Sequence, residues 1–87
     1  MFADFGSPGG RLMPTLSDLS PGQTAEILSV SGDPALVQRL YEFGLLEGER
    51  VEVVALAPLG DPIEIRFGNS RLSLRKSEAA GITVVIR

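Results

Sequence analysis

The most regular hydrophobic pattern in the chain lies in its last third, where apolar and polar residues alternate on both sides of a Gly68-Asn69 pair. Strict alternation is typical of strands with one buried face, and such a glycine-containing pair is a frequent two-residue hairpin turn. If Phe67 pairs with Ser70, every apolar residue of both strands falls on one face. The same register places Arg66 opposite Arg71 on the exposed face.

A helical pattern follows Asp33-Pro34, a pair that supplies a capping side chain and a proline suited to the first helical position. Leu36, Leu40 and Phe43 recur at steps of four and three residues, which predicts one stripe of a short helix facing the core. Gly44 should end the helix, because glycine takes the left-handed conformation at no steric cost. One of the two leucines that follow is expected to fold back on the last turn.

Three further strands are predicted from shorter patterns, over residues 23–30, 51–57 and 82–86. Leu28 interrupts the alternation of the first strand, which indicates a bulge or a strand end covered on both sides. Ser77 is expected to cap a single helical turn before the last strand.

About five short strands, with one helix between the first and the second, are too few for a two-sheet sandwich of usual size. The fold class predicted is therefore mainly β, a small barrel in which one alternating face is buried. Glycine and proline mark its turns, since they free or fix the backbone where the chain reverses. The structural turn positions are Gly22, Gly44, Gly48, Gly60 and Pro62.

The chain has 87 residues, of which 44% are hydrophobic, and this size suits one small domain. Residues 1–14 are rich in glycine and proline and show no period, so they are predicted to form a flexible tail before a folded domain at residues 15–87. Phe2, Phe5 and Leu12 make this tail unusually apolar. Docking on its own domain, or on a neighbouring copy as a homo-oligomer, therefore stays open beside disorder or a true start at Met13.

Several classes of function are excluded by the residues that the chain lacks. With no Cys and no His, it has no disulfide, thiolate or imidazole chemistry and no soft-metal site. No arrangement of a nucleophile and a base is recognisable, so an enzyme is not expected. Neither a membrane span nor a signal peptide is present, which makes the cytoplasm the default location.

Charge is divided between two regions of the chain. Residues 33–52 carry five acids and two arginines, whereas residues 63–87 carry five bases and two acids. Four of those bases lie on or near the predicted hairpin, namely Arg66, Arg71, Arg75 and Lys76. They are interpreted either as a contact for an acidic partner or as a solvated face in which Glu64, diagonal to Arg71, neutralises them.

Four segments occur together in an order that resembles the FeoA family, small proteins of bacterial ferrous iron transport. These segments are LSDLSPGQTAEI, RLYEFGLLEG, APLGDPIEI and LSLRKSEAAGITV, and the resemblance runs from Leu16 to Ile86. The resemblance implies an SH3-like barrel whose helix follows the first strand. It also implies a cytoplasmic accessory protein that binds FeoB, the membrane permease for Fe²⁺, and supports its uptake of Fe²⁺. No cofactor is expected.

The partner surface is predicted on the outward face of the hairpin and the adjoining turn. Its residues are Arg66, Arg71, Arg75 and Leu59, since an apolar side chain between Pro58 and Gly60 has few neighbours unless a partner supplies them. The helix around Tyr41 is the alternative surface.

Two other functions stay open at this stage. One is a metal-responsive regulator that binds Fe²⁺ or Mn²⁺ through surface carboxylates, with Glu47, Glu49, Glu52 and Asp61 as the acids near one turn. Acids near a turn are usually solvated surface, so no metal residue is assigned. The other is a nucleic-acid-binding small barrel, although no exposed aromatic platform accompanies the bases and no nucleic-acid partner is expected.

Overall fold

The computed structural model of the protein describes residues 13–87, which form a five-stranded antiparallel sheet and one helix of more than one turn. The order of strands in the sheet is β4-β3-β2-β1-β5. The fold is therefore mainly β, with the helix between the first and second strands, as the sequence predicts. The elements are β1 (Thr24–Val30), α1 (Pro34–Phe43), β2 (Arg50–Leu56), β3 (Ile63–Phe67), β4 (Ser70–Leu74), α2 (Lys76–Ala79) and β5 (Ile82–Ile86).

The core lies on one face of this sheet and draws residues from every strand and both helices. Alternate residues of the strands point into it, α1 contributes Leu40, and a 3₁₀ turn at Leu16–Asp18 adds Leu16 and Leu19. The buried apolar residues are Leu16, Leu19, Ala25, Ile27, Leu40, Leu45, Val51, Val53, Ile63, Ile65, Phe67, Leu74, Ala79, Ile82 and Val84. A small domain depends on such a shared core, because little apolar surface is available in any one element.

The hairpin of β3 and β4 has the register that alternation predicts. Phe67 pairs with Ser70, and Arg66 pairs with Arg71. The bulge expected near Leu28 is also present, since the pairing of β1 with β5 shifts between Ile27 and Ser29.

Helix α1 begins after Asp33, whose Oδ1 accepts a hydrogen bond from the Ala35 N–H at 2.9 Å, and is followed by Gly44 with φ of 97°. Leu45 then folds back, and its N–H donates to the Leu40 carbonyl at 3.0 Å. The prediction that Phe43 faces the core is wrong, because its side chain is 52% exposed. Phe43 lies only about 20° from Leu36 around the helix, so the helical period alone does not explain its exposure. The buried Leu45, beyond the helix, covers the last turn instead.

Helix α2 is capped differently from the prediction. Ser77 lies inside the helix, and Arg75 is the residue that precedes it. The Arg75 N–H donates to Oε1 of Glu78 and the Lys76 N–H donates to Oδ1 of Asp61, both at 2.9 Å. A carboxylate is a stronger acceptor for these free N–H groups than a serine hydroxyl, and two are within reach.

The flexible tail predicted for residues 1–14 falls mainly outside the described residues. Of the two that are described, Met13 is exposed, and the Pro14 carbonyl accepts a hydrogen bond from the Val84 N–H at 3.0 Å. Thr15 forms an isolated bridge with Thr83. No helix within residues 13–87 is both long enough and apolar enough to cross a membrane.

Candidate partner-binding surface

Leu59 is the most exposed large apolar side chain among the described residues, with a relative exposure of 101%. Its φ of 71° and ψ of 8° are left-handed, and no other non-glycine residue within residues 13–87 has a positive φ. A leucine in this conformation is strained by about 1 kcal/mol or more. This conformation therefore lowers the stability of the fold while it exposes an apolar side chain to solvent.

Hydrogen bonds on both sides hold the turn that carries Leu59. The Gly60 N–H donates to the Ala57 carbonyl at 2.8 Å, and the Ala57 N–H donates to the Pro62 carbonyl at 3.0 Å. Pro62 follows a cis peptide bond, and Gly60 has φ of 81°. Through Asp61, whose Oδ1 accepts from the Lys76 N–H, the same turn is joined to the start of α2. The Leu59 side chain is thus displayed from a fixed backbone.

Positive charge borders this turn. Arg75 and Lys76 are both exposed, and neither side chain makes a hydrogen bond or an ion pair with any described residue. The contact between Asp61 and Lys76 brings them to the turn, so Leu59 and Arg75 share one end of the hairpin. We call this set, Leu59 with Arg75 and Lys76, the Leu59 surface.

Arg66 and Arg71 lie at the other end of the hairpin, near its two-residue turn. Arg66 lies three positions along β3 from Ile63, which corresponds to about 10 Å. The Arg71 Nη1 is 3.2 Å from Oε2 of Glu64, and Arg66 forms an ion pair with Glu52. Each arginine thus has an intramolecular carboxylate, and the pair needs no partner to balance its charge.

Glu52 was not identified from the sequence as the partner of Arg66. The two residues face each other across β2 and β3, strands joined by a turn whose length does not fix their register. The register also shifts between Val53 and Ala55, so alternation alone could not align the strands. The cross-strand contact of Glu64 with Arg71 was visible because both residues lie in one hairpin.

Tyr41 lies on α1, and no hydrogen bond or ion pair within residues 13–87 connects it to the hairpin. Its hydroxyl donates to Oε2 of Glu47 at 2.8 Å. The backbone N–H of Glu47 and the Tyr41 hydroxyl both stabilise the carboxylate, so they hold the pKa of Glu47 below its usual value. The same hydrogen bond raises the pKa of Tyr41. Tyr41 therefore belongs to a separate surface near the end of α1.

The acids considered as metal ligands do not come together. Glu47 bonds to Tyr41, Glu52 pairs with Arg66, and Asp61 accepts from the Lys76 backbone. Residues 13–87 contain no group of three or more side chains of the kind that hold a metal ion.

A shallow depression of about 330 Å³ lies beside Arg66, between β1, β2 and the hairpin turn. Its charged lining includes the paired Glu52 and Arg66. No nucleophile with a neighbouring base lines this depression, so its geometry suggests no reaction.

Comparison with known proteins places this fold in a family. The family model described as the FeoA domain matches residues 15–86. The chain belongs to the FeoA family. The match begins and ends close to the limits of the described sheet, from the Thr15 bridge to the end of β5.

Two solved FeoA structures resemble the chain over most of its length. A FeoA protein from Chlorobium tepidum is 45% identical with a TM-score of 0.81, over 84% of this chain and 70% of that one. The FeoA of Stenotrophomonas maltophilia, solved with zinc and described as a procaryotic SH3 domain protein, is 37% identical with a TM-score of 0.72, over 82% and 88%. The SH3-like fold that the sequence resemblance implies is thereby confirmed.

One curated relative joins this domain to a transporter. It is the Fe(2+) transport protein A/Fe(2+) transporter FeoB fusion protein of Porphyromonas gingivalis, and it is 39% identical over 69 residues. These residues are 79% of this chain, which spans 8% of the length of that relative.

Proposed function

We propose that this protein is a cytoplasmic accessory protein of ferrous iron uptake that binds a FeoB-type permease and supports or regulates it. The observation that carries the proposal is the fusion protein of P. gingivalis, in which a FeoA region and a FeoB transporter form one polypeptide. Two proteins that are fused in one organism usually act together in others. A binding role also suits a domain with no catalytic arrangement among its described residues.

The Leu59 surface is the contact that we propose for the permease. A fully exposed leucine gives the free protein no burial energy, whereas covering it in a complex would contribute about 2 kcal/mol. The fixed turn lowers the cost of ordering this side chain on binding. Leu59 is thus placed as an anchor for an apolar pocket on the partner.

Arginine and lysine beside the anchor favour an acidic rim around that pocket. The Arg75 guanidinium has no intramolecular partner among residues 13–87, so a carboxylate of the permease can bind it without displacing another. Arg66 and Arg71 already contact Glu52 and Glu64, and these exposed pairs are worth little in water. We place them as secondary contacts, and Tyr41 as the alternative surface.

The test compares Leu59→Asn with Leu46→Asn in binding to the whole permease, purified and held in nanodiscs. Both leucines are exposed, but Leu46 lies beyond α1 and is 45% exposed. We expect Leu59→Asn to weaken binding about 10- to 30-fold, the equivalent of one buried leucine, and Leu46→Asn to bind as the wild type does. Asparagine also tolerates a left-handed backbone, so the turn should persist.

Two results would contradict this assignment in different ways. Equal binding by both variants and the wild type would move the surface away from Leu59, and weaker binding by Leu46→Asn alone would favour the end of α1 with Tyr41. If the wild-type protein shows no binding to the permease in any nucleotide state, the proposed function itself is wrong.

A further inference from the structure

Strand β4 is one edge of the sheet, because β3 is its only neighbour in the strand order. An edge strand leaves half of its backbone N–H and C=O groups without a partner in the sheet, and another chain can pair with them. Ser70, Arg71 and Ser73 are exposed along this strand. The edge of β4 is therefore a potential site for strand addition.

The hairpin register identifies the outward groups. In a two-residue hairpin the residues that flank the turn, Phe67 and Ser70, exchange both backbone hydrogen bonds. Leu72 therefore also bonds to β3, whereas the N–H and C=O of Arg71 and Ser73 point away from it. No backbone group within residues 13–87 bonds to these four atoms.

The opposite edge of the sheet differs in this respect. Strand β5 receives the Thr15 bridge to Thr83, and its Val84 N–H donates to the Pro14 carbonyl. The described chain itself thus covers part of that edge. At the edge of β4, in contrast, no other part of residues 13–87 bonds to the outward backbone groups of Arg71 and Ser73.

Charge along the β4 edge indicates what can bind there. Arg71 is exposed, and its surface ion pair with Glu64 is weak in water, so it can also meet a second carboxylate. Arg75 and Lys76 follow directly after the strand, and neither side chain has a partner among the described residues. A second copy would bring the same cations against these, which opposes self-pairing. A phosphate backbone could meet the cations, but it has no N–H donors for the Arg71 and Ser73 carbonyls. A polypeptide with carboxylates can bind the cations through its side chains and the free groups of β4 through its backbone.

We propose that the open edge of β4 binds an extended acidic segment of a partner protein, which adds a sixth strand to the sheet through the backbone of Arg71 and Ser73. Carboxylates of that segment then lie against Arg71 and Arg75. The inference rests on the proposed function only if that partner is the permease. The strand addition itself can be tested without the permease.

The direct test uses the wild-type protein and two synthetic peptides, one alternating valine with glutamate and the other alternating valine with lysine. We expect the glutamate peptide to slow amide hydrogen exchange at Arg71 and Ser73 by at least about tenfold, because new hydrogen bonds protect them. Leu72, already bonded to β3, serves as the internal reference. The lysine peptide should leave all three unchanged.

A matched pair of variants tests the same contact. Ser73→Pro removes one outward N–H, a change that an edge strand can tolerate, whereas Ser73→Ala keeps it. We expect Ser73→Pro to weaken binding of the glutamate peptide about tenfold and Ser73→Ala to bind normally. If Ser73→Pro does not fold, the exchange measurement on the wild type still decides the matter.

Several outcomes would overturn the inference. One is unchanged amide exchange at Arg71 and Ser73 when the peptide has saturated the protein. Another is equal binding of the peptide by Ser73→Pro and Ser73→Ala. A third is protection of these amides in the free protein that disappears on dilution or on removal of residues 1–12. Tighter binding of an oligonucleotide at the same amides would do so too. Permease binding that is lost in Leu59→Asn but kept in Ser73→Pro would remove strand addition as the mode of permease binding and leave the proposed function intact. If the peptide protects these amides but the protein does not bind the permease, the proposed function is wrong and the strand addition stands.

Discussion

At the scale of single residues, Leu59 shows a conflict between local preference and observed conformation. Bulky residues seldom take a positive φ, and here the side chain also gains nothing from burial. Residues held in this way are often found at binding sites, where the surrounding structure imposes the conformation. The conflict singles out Leu59 among the exposed leucines of the described chain.

We expect Leu59→Asn to leave the free energy of unfolding unchanged or to raise it by up to about 1 kcal/mol, since asparagine relieves the left-handed strain. Chemical denaturation with urea would measure the change. As a control, Leu45→Asn places an amide in the core and should cost about 3 kcal/mol or more. A loss of stability in Leu59→Asn comparable to that of the control would mean that Leu59 supports the fold.

The pair of Tyr41 and Glu47 gives a prediction about pH. Because the pKa of Glu47 is lowered in the folded state, its contribution to stability is present above the usual glutamate pKa of about 4.5 and is lost as pH falls through the lowered value. The pKa of Tyr41 is raised, so the contribution of its hydroxyl is lost only as pH rises through that raised value. The contact therefore stabilises the turn at neutral pH.

Tyr41→Phe should move the pKa of Glu47 upward, towards its usual value, because the donating hydroxyl is removed. Carbon-13 NMR titration of the Glu47 side-chain carboxyl would measure this shift. The backbone N–H of Glu47 remains in the variant, so we expect the pKa to stay partly lowered. An unchanged titration would show that the tyrosine does not contact Glu47 in solution.

At the scale of elements, the left-handed residue after α1 determines how the chain enters β2. Gly44 has open space around the position of a Cβ, so a substitution there meets backbone strain and no clash. We expect Gly44→Val to destabilise the domain by roughly 1 kcal/mol or more, and Gly44→Asn to cost clearly less. Thermal unfolding of the two variants compares them. Equal melting temperatures would place the helix end elsewhere.

How well each element could be predicted depends on how local its determinants are. The β3–β4 hairpin was predicted to the residue because its turn and its alternation lie within twelve residues. The pairing of Glu52 with Arg66 could not be predicted, since it depends on a bulge in β2. Phe43 was misplaced because Leu45, beyond the helix, covers the last turn of α1. The left-handed conformation of Leu59 has no local signal, as it depends on contacts from Ala57 to Pro62 and from Asp61 to Lys76.

At the scale of the whole molecule, the buried core that residues 13–87 form begins at Leu16 and ends at Val84. Removing residues 1–12 should therefore leave the melting temperature unchanged. Removing residues 1–14 also deletes the Pro14 carbonyl that accepts from Val84, and should cost about 1 kcal/mol. A chain shortened through Leu19 loses two core leucines and should not fold. Circular dichroism of the three truncations would check this order, and unfolding of the first would contradict a domain that starts near Thr15.

The tethered turn around Leu59 also has a consequence for the kinetics of binding. A turn whose backbone is already held before an encounter needs no backbone rearrangement to dock its side chain, so substitution of Leu59 should change the dissociation rate and leave the association rate nearly constant. Arg75→Glu should do the opposite and slow association, by an amount that salt reduces, because charge acts at a distance before contact. Stopped-flow measurements on the two variants would separate an anchor from a steering charge, two roles that an affinity alone cannot distinguish.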